Sequence, residues 1–303
     1  MINKKAFTIV IAVLIAGLII GSFFDYQIST FLVQKNNGLA IFFAAFGELP
    51  GYAVLSFFSG FTFILGLKHY RKVWGGWVLM GSAVIGVGCA AFFQGKAIFS
   101  INAYNMEEKT LFPGLLVGTG LMVLPVLAGL FFGNKAHNKE LWRITFFGLV
   151  AIGISIGLVT IVKHIPDRPR YRLVVSNSDV DFYPWWKICK EKDALIQTYG
   201  ISKEDFKSFP SGHVGITSAM FVSVYIPILL EMKKPEMWKR IFFYVTCAYI
   251  LFLAYTRILA GAHYLSDVAA GGIISVSIYL GLIFFLDKYA KKIEEEQTKS
   301  LSE

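Results

Sequence analysis

The sequence predicts an all-α protein, a polytopic membrane helix bundle of about eight transmembrane helices that forms a single membrane domain over residues 1–303. Of its 303 residues, 55% are hydrophobic and only 16% are charged. The apolar residues occur in runs near the ~20 residues that a bilayer-spanning helix needs. Lys and Arg cluster in alternate short loops, as in multi-pass proteins.

The predicted spans are Ala6–Phe24, Gly51–Leu67, Val73–Phe93, Leu111–Phe132, Leu141–Val162, Gly212–Leu230, Trp238–Leu259 and Leu265–Leu286. The first is interpreted as a retained helix and not a signal peptide, because it lacks a clear small-residue cleavage site and further spans follow. The second is the shortest and is rich in Gly and Ser. It is either re-entrant or extended by Leu39–Phe46, and the sequence leaves both open.

The cationic loops predict the orientation. If the helices alternate, one side of the membrane receives Lys4–Lys5, Lys68–Lys72, Lys135–Arg143, Lys233–Arg240 and the tail 287–303. The positive-inside rule makes that side cytoplasmic. We therefore expect a cell-membrane protein with both termini in the cytoplasm.

Charge and cysteine content exclude some classes of function. The net charge of +9 could indicate a nucleic-acid partner, but the cations are scattered through loops and form no basic stripe. Cys89 and Cys247 lie in apolar runs and Cys189 is alone in an outer loop, so no disulfide joins outer-loop cysteines. No motif has metal-ligand spacing. We expect no nucleic-acid partner, no metal and no cofactor.

Three clusters of polar residues mark the outer ends of the last spans. The first contains Lys163, Arg168 and Arg170, with prolines at 166 and 169 that stiffen the link. Arg can bind two phosphate oxygens at once, and Lys adds a point charge. The alternative is an anchor for anionic lipid headgroups.

The second cluster is Pro210-Ser211-Gly212-His213 at the start of a predicted helix. Ser211 is a good N-cap, and Gly212 lets the backbone approach a ligand. Free N–H groups there favour an anion, and His213 lies within reach of it. The alternative is an ordinary capped helix with an incidental histidine.

The third cluster is Arg257, His263 and Asp267. Positions i and i+4 share a helix face, so Asp267 is predicted to hydrogen-bond one ring nitrogen of His263 and leave the other for proton transfer. The alternative is a local pair that satisfies two polar groups.

In this order the clusters resemble the three-part signature of the type-2 phosphatidic acid phosphatase superfamily, which are membrane lipid phosphate phosphatases. The resemblance covers Leu141–Leu286 as a phosphatase core and says little about residues 1–140. Tyr171 stands where the family usually has Pro, and Thr256 where it usually has Ser. Both Arg168 and Arg170 thus remain candidates for the first-motif arginine, with the spacing in favour of Arg170. Members usually have about six spans, so eight imply an additional N-terminal pair.

The resemblance implies a metal-independent mechanism with His213, His263 and Asp267 as catalytic residues. His213 would attack phosphorus to give a phosphohistidine, while His263, oriented by Asp267, would protonate the leaving oxygen and then activate water. The phosphate-binding groups would be Lys163, Arg170, Arg257, the N–H groups of Ser211 and Gly212, and possibly Arg168.

A lipid phosphate in the bilayer is the expected partner, on the extracytoplasmic face. Candidates are phosphatidate, phosphatidylglycerol phosphate, a phosphorylated glycolipid and polyprenyl pyrophosphates such as undecaprenyl pyrophosphate of the cell envelope. By resemblance the motifs also fit a lipid phosphotransferase, or a vanadate-dependent haloperoxidase, whose soluble fold suits eight spans poorly. A lipid-phosphate binding or transport protein is the non-enzymatic alternative. The segment Tyr171–Phe209, with Tyr183–Trp186 at the headgroup level, is a hypothetical lid.

Overall fold

The computed structural model describes residues 4–34, 36–103, 111–136 and 139–302, which contain helices and no strand. Eight helical segments among them are long and apolar enough to cross a membrane, which confirms the predicted fold class. The helices are α1 (Lys4–Leu32), α2 (Gly38–Phe46), α3 (Leu49–Lys68), α4 (Val73–Ala103), α5 (Leu111–Lys135), α6 (Lys139–Lys163), α7 (Tyr171–Ser176), α8 (Lys192–Tyr199), α9 (Gly212–Thr217), α10 (Ile226–Leu229), α11 (Pro235–Leu259) and α12 (Leu265–Ser302).

The second span is a broken helix. It runs from Gly38 to Lys68 as α2 and α3, so Leu39–Phe46 does extend it. The side chain of Asn37 caps α2 by accepting a hydrogen bond from the N–H of Ala40 at 3.1 Å. The break at Gly47 and Glu48 carries a buried carboxylate into the bundle.

The sixth span differs from the single α-helix predicted over Gly212–Leu230. It consists of α9, a 3₁₀ segment at Ser218–Tyr225 and the short α10. Pro227 lies in the first turn of α10. A proline there has no N–H to donate and its ring crowds the carbonyl four residues earlier, that of Ser223, so the α-helical hydrogen bond between these two residues is lost.

The sixth span packs between α3, α6, α11 and α12. Helix α1 runs along α12, whereas α4 and α5 both lie against α3. One close approach joins the second and third clusters. A Cβ added to Gly271 on α12 would lie 2.6 Å from the carbonyl oxygen of Ser211. The N–H of Ser211 donates to the carbonyl of Asp267 at 2.9 Å. The starts of α9 and α12 are thereby held side by side.

The segment Tyr171–Phe209 is folded and not an open loop. It includes α7, α8 and a 3₁₀ turn at Lys203–Phe206, and has a small core of its own built from Leu173, Val180, Tyr183, Cys189 and Phe206. Its tryptophan Trp185 donates a hydrogen bond to Ser22 on α1 at 2.9 Å. The segment therefore docks on the first helix.

Candidate active site

The three predicted clusters meet in one cavity of about 1120 Å³. Six of the predicted site residues line it: Lys163, Arg170, Gly212, His213, Arg257 and His263. The ring centroids of the two histidines are 6.3 Å apart. Ser211, Arg168 and Asp267 are almost fully buried and are not among the lining residues.

Arg257 has buried donors that an anion in the cavity could use. It lies in the last turn of α11 and is only 2% exposed. In the described part of the chain, its Nε and Nη1 atoms have no hydrogen-bond partner. A buried donor left unpaired costs roughly 1–3 kcal/mol, and more when it is charged. These two nitrogens are therefore suited to bind an anion.

Two further cations lie at the same end of the cavity. Lys163 ends α6, and its Nζ donates to the carbonyl of Pro210 at 3.0 Å. Arg170 donates from Nε to the carbonyl of Glu204 at 3.0 Å. Backbone contacts hold both in place, so the positive charges converge on His263 without needing a ligand to order them.

Ser211 contributes differently from the expectation. Its N–H is already used in the hydrogen bond to Asp267, so it is not available to a phosphate. Its hydroxyl is buried and has no partner among the described residues. The hydroxyl, and not the amide, is thus the group that Ser211 can offer to an anion.

His263 is held as a neutral imidazole. Its Nδ1 lies 2.6 Å from the carbonyl oxygen of Ser208, and because a carbonyl only accepts, the proton is on Nδ1. Burial, together with the charges of Lys163 and Arg170, lowers the pKa of His263 to about 3 against the opposing effect of Asp267. Its Nε2 atom therefore keeps a lone pair.

The predicted hydrogen bond between His263 and Asp267 is not formed. The Nδ1 atom of His263 and Oδ2 of Asp267 are 3.8 Å apart. The carboxylate is occupied by closer donors: the hydroxyl of Ser208 at 2.5 Å and the N–H of Tyr264 at 2.8 Å on Oδ2, and Arg168 on Oδ1. Asp267 thus orients His263 indirectly, by holding Ser208.

Arg168 is the partner of Asp267, and each of its three nitrogens already donates a hydrogen bond. Its Nη1 donates to Asp267 at 2.5 Å, its Nη2 to Asp25 at 2.9 Å and its Nε to the carbonyl of Tyr183 at 2.7 Å. Burial opposes its charge, but Asp267 and Asp25 outweigh burial and raise the pKa of Arg168. Of the two candidate arginines, Arg170 is the one that reaches the cavity.

Asp25 belongs to the site and was missed from the sequence. It lies on α1, is 3% exposed, and also accepts hydrogen bonds from the N–H and hydroxyl of Ser266. The available signal was a carboxylate close to the end of the first apolar run, where an uncompensated charge is costly. Sequence analysis could not pair Asp25 with Arg168, because the two residues are 143 positions apart in the chain.

Glu48 was missed for the same reason. It sits in the break between α2 and α3, and its carboxylate is 3.2 Å from Nδ1 of His213. The other ring nitrogen, Nε2, is 3.1 Å from the carbonyl oxygen of Ala44. Both nitrogens of His213 thus face acceptors, and only the doubly protonated imidazolium can donate to both at once.

The segment Tyr171–Phe209, the hypothetical lid, meets the cavity through only some of its residues. Of the four described residues Tyr183–Trp186, none lines it. Arg172, Glu204 and Lys207 from the same segment do line it. Tyr183 instead uses its backbone carbonyl to hold Arg168.

Residues 144–291 match the family model of the PAP2 superfamily. The match includes all three clusters that line or support the cavity. The C-terminal half of the chain is thus a PAP2 domain. The match supports an enzyme that hydrolyses phosphate esters. Asp25, Ala44 and Glu48 lie outside the matched region, so the PAP2 site of this chain is completed by its N-terminal helices.

The comparison with curated proteins adds little. An MFS thioclapurine efflux transporter, tcpA of Claviceps purpurea (strain 20.1), is 31% identical over 96 residues, which make up 31% of this chain and 17% of the transporter. The match spans less than a fifth of the transporter and carries no function to the PAP2 chain. No solved structure matches the chain significantly.

Arg168→Gln is expected to destabilise the PAP2 bundle strongly. It leaves the carboxylates of Asp25 and Asp267 buried together without a counter-ion, and removing one partner of a buried ion pair typically costs ~3–5 kcal/mol. The matched control is Lys192→Gln, which removes a partly exposed pair with Asp167 worth ~0–1 kcal/mol. The melting temperature of the detergent-purified protein should fall sharply in the first variant only. Equal melting temperatures would contradict the role of Arg168.

His263 should also make stability depend on pH. Its pKa is about 3 in the folded protein against 6.5 as the ordinary value, so below pH 6.5 the unfolded chain binds a proton that the folded one does not. The stabilisation is complete above that pH and is lost as the pH falls towards 3. His263→Asn cannot titrate, so its melting temperature should decline less steeply than that of wild type as the pH is lowered from neutral. Parallel curves would contradict the neutral, buried imidazole.

Proposed function

We propose that this PAP2 protein is an integral-membrane phosphatase that hydrolyses a phosphate or diphosphate ester of a lipid through a phosphohistidine, without a metal, on the extracytoplasmic face of the cell membrane. The single observation that carries the proposal is the cavity. Charged side chains and histidines line one part of it, among them Lys163, Arg170, Arg257, His213 and His263, and apolar side chains of α3, α4 and α6 line the rest.

The cationic end suits a phosphate. Lys163, Arg170 and Arg257 supply positive charge to the equatorial oxygens. Such preorganised donors stabilise the charge that develops in phosphoryl transfer, and loss of one typically costs ~10²–10³ in rate.

The protonation states support roles for the two histidines opposite to those expected from the sequence. A nucleophile needs a lone pair, and His263 has one on Nε2 because Nδ1 carries the proton. An acid needs a proton to give, and His213 faces an acceptor at each nitrogen. We therefore assign the attack to His263 and the proton transfer to His213.

The reaction proceeds in two steps, formation of a phosphohistidine and its hydrolysis. Nε2 of His263 forms a bond to phosphorus while the bond from phosphorus to the lipid oxygen breaks, and His213 gives its proton to that leaving oxygen. The neutral His213 then takes a proton from water, whose oxygen attacks the phosphohistidine. The P–N bond breaks, phosphate leaves, and both histidines return to their starting states.

The apolar part of the cavity supports a lipid as the substrate. Tyr52 and Leu55 of α3, Ile85 of α4 and Ile156 of α6 line it. A soluble phosphate ester would gain nothing from these side chains. The candidates are polyprenyl pyrophosphates, phosphatidate, phosphatidylglycerol phosphate and a phosphorylated glycolipid.

The leaving group provides a test of both the activity and the roles. With a chelator present, purified wild type should release phosphate from a long-chain lipid phosphate and from p-nitrophenyl phosphate, whose leaving group needs little protonation. His263→Asn should lose both activities. In the first turnover, which ends at the phosphohistidine and is monitored by release of the alcohol or of p-nitrophenol, His213→Asn should lose ~10²–10⁴ on the lipid, the usual worth of a general acid, and far less on the aryl ester.

His69→Asn is the matched control, since this histidine bonds to Leu65 of its own helix and does not line the cavity. Its rates should equal those of wild type. Equal losses on both esters in His213→Asn would contradict the assignment of the acid. Absence of release from every ester, or its loss on adding the chelator, would contradict the proposed function.

A further inference from the structure

We propose that α4, which lies outside the region matched by the PAP2 family model, forms the wall of a binding site for the hydrocarbon tail of the substrate, and that Gly88 keeps this site open. The inference rests on the proposed lipid phosphatase function. It adds a ligand site and a specificity-determining residue that the three PAP2 motifs do not provide.

The wall is one face of a helix. Ile85, Gly88, Cys89 and Gly95 of α4 line the cavity at spacings of three, four and ten residues, which places them along a single stripe. A Cβ added at Gly88 or Gly95 would meet no atom within 4 Å. The glycines therefore leave a hollow in the helix face that a larger side chain would fill.

The hollow continues the phosphate site. The same cavity contains Arg257, which is 2% exposed and has two buried N–H groups without a partner among the described residues. At a rise of 1.5 Å per residue, the stripe from Gly95 to Ile85 extends about 15 Å along the helix. Ile156 of α6 lines the same cavity. At the same rise per residue, Ile156 lies about 10 Å along α6 from Lys163.

Charge is confined to one end of this cavity. Among the described lining residues of α3, α4 and α6, Lys163 at the end of α6 is the only charged one. The other charged lining residues are Arg170, Arg257 on α11, and three residues of the segment Tyr171–Phe209, namely Arg172, Glu204 and Lys207. A ligand that fills the whole cavity must have an anionic head and a long apolar body. That chemistry identifies the occupant as the tail of the phosphate ester itself.

The position of α4 allows such a ligand to enter. This helix packs against α2, α3 and α5, and the cavity separates it from α6. The side chains of Val84 and Val87 on α4 are largely exposed and would face lipid. A tail in the bilayer can therefore pass between α4 and α6 while its phosphate stays at the outer end.

The test uses two leucine substitutions on the same helix. Gly88→Leu fills the hollow, whereas Gly81→Leu, two turns earlier, projects from an exposed position that meets no atom within 4 Å and does not line the cavity. The value of kcat/KM is measured for a long-chain phosphatidate and a short-chain, water-soluble phosphatidate with the same headgroup. Ala91→Leu, which also lines the cavity, is a second variant in case the first misfolds.

The ratio of long-chain to short-chain kcat/KM should fall by ~10-fold or more in Gly88→Leu and Ala91→Leu, since a change of one methylene in an apolar pocket already discriminates by ~10–200-fold. Gly81→Leu should keep the wild-type ratio. An unchanged ratio in both cavity variants, or an equal fall in Gly81→Leu, would overturn the tail site while leaving the phosphatase intact. If wild type does not hydrolyse phosphatidate, the same ratio is measured with long- and short-chain forms of the other candidate lipid phosphates. Wild type that releases phosphate from none of them would overturn the proposed function itself.

Discussion

The guanidinium of Arg168 lies between the carboxylates of Asp25 on α1 and Asp267 on α12. Its Nε donates to the backbone carbonyl of Tyr183, in the segment Tyr171–Phe209. Three parts of the chain that are far apart in sequence thus meet at one charge. Taking each ion out of water costs several kcal/mol, and only mutual pairing with full hydrogen bonding offsets that cost. The pairing therefore fixes the position of Asp267, and with it Ser208 and the ring of His263.

Two histidines whose centroids are 6.3 Å apart acquire different protonation states from their surroundings. His263 is buried beside cations and donates to a carbonyl, so it is neutral. His213 faces the carboxylate of Glu48 and the carbonyl of Ala44, so it has an acceptor at each nitrogen. Environments that separate an acid from a base in this way allow proton transfer and nucleophilic attack at the same pH.

The sequence was sufficient for what depends on local pattern. Apolar runs predicted the eight spans, and the spacing of the three clusters predicted that Lys163, Arg170, His213, Arg257 and His263 share a site, as they do in the cavity. The partners of Asp267 and His213 depend on tertiary packing. Asp25 and Glu48 are each more than 100 residues from the groups they contact, and no local pattern encodes such a pairing. The i, i+4 rule likewise indicated a His263–Asp267 bond but could not include the competing donors Arg168 and Ser208.

The measurement that tests the central proposal most directly is the location of the covalent phosphate. The purified protein is mixed with a lipid phosphate labelled at phosphorus, quenched in alkali, where phosphohistidine survives, and digested for peptide mass spectrometry. The account predicts label on His263 in wild type and none in His263→Asn, with label retained on His263 in His213→Asn when an aryl phosphate is the donor. Label on His213, or turnover without label on either histidine, would contradict it.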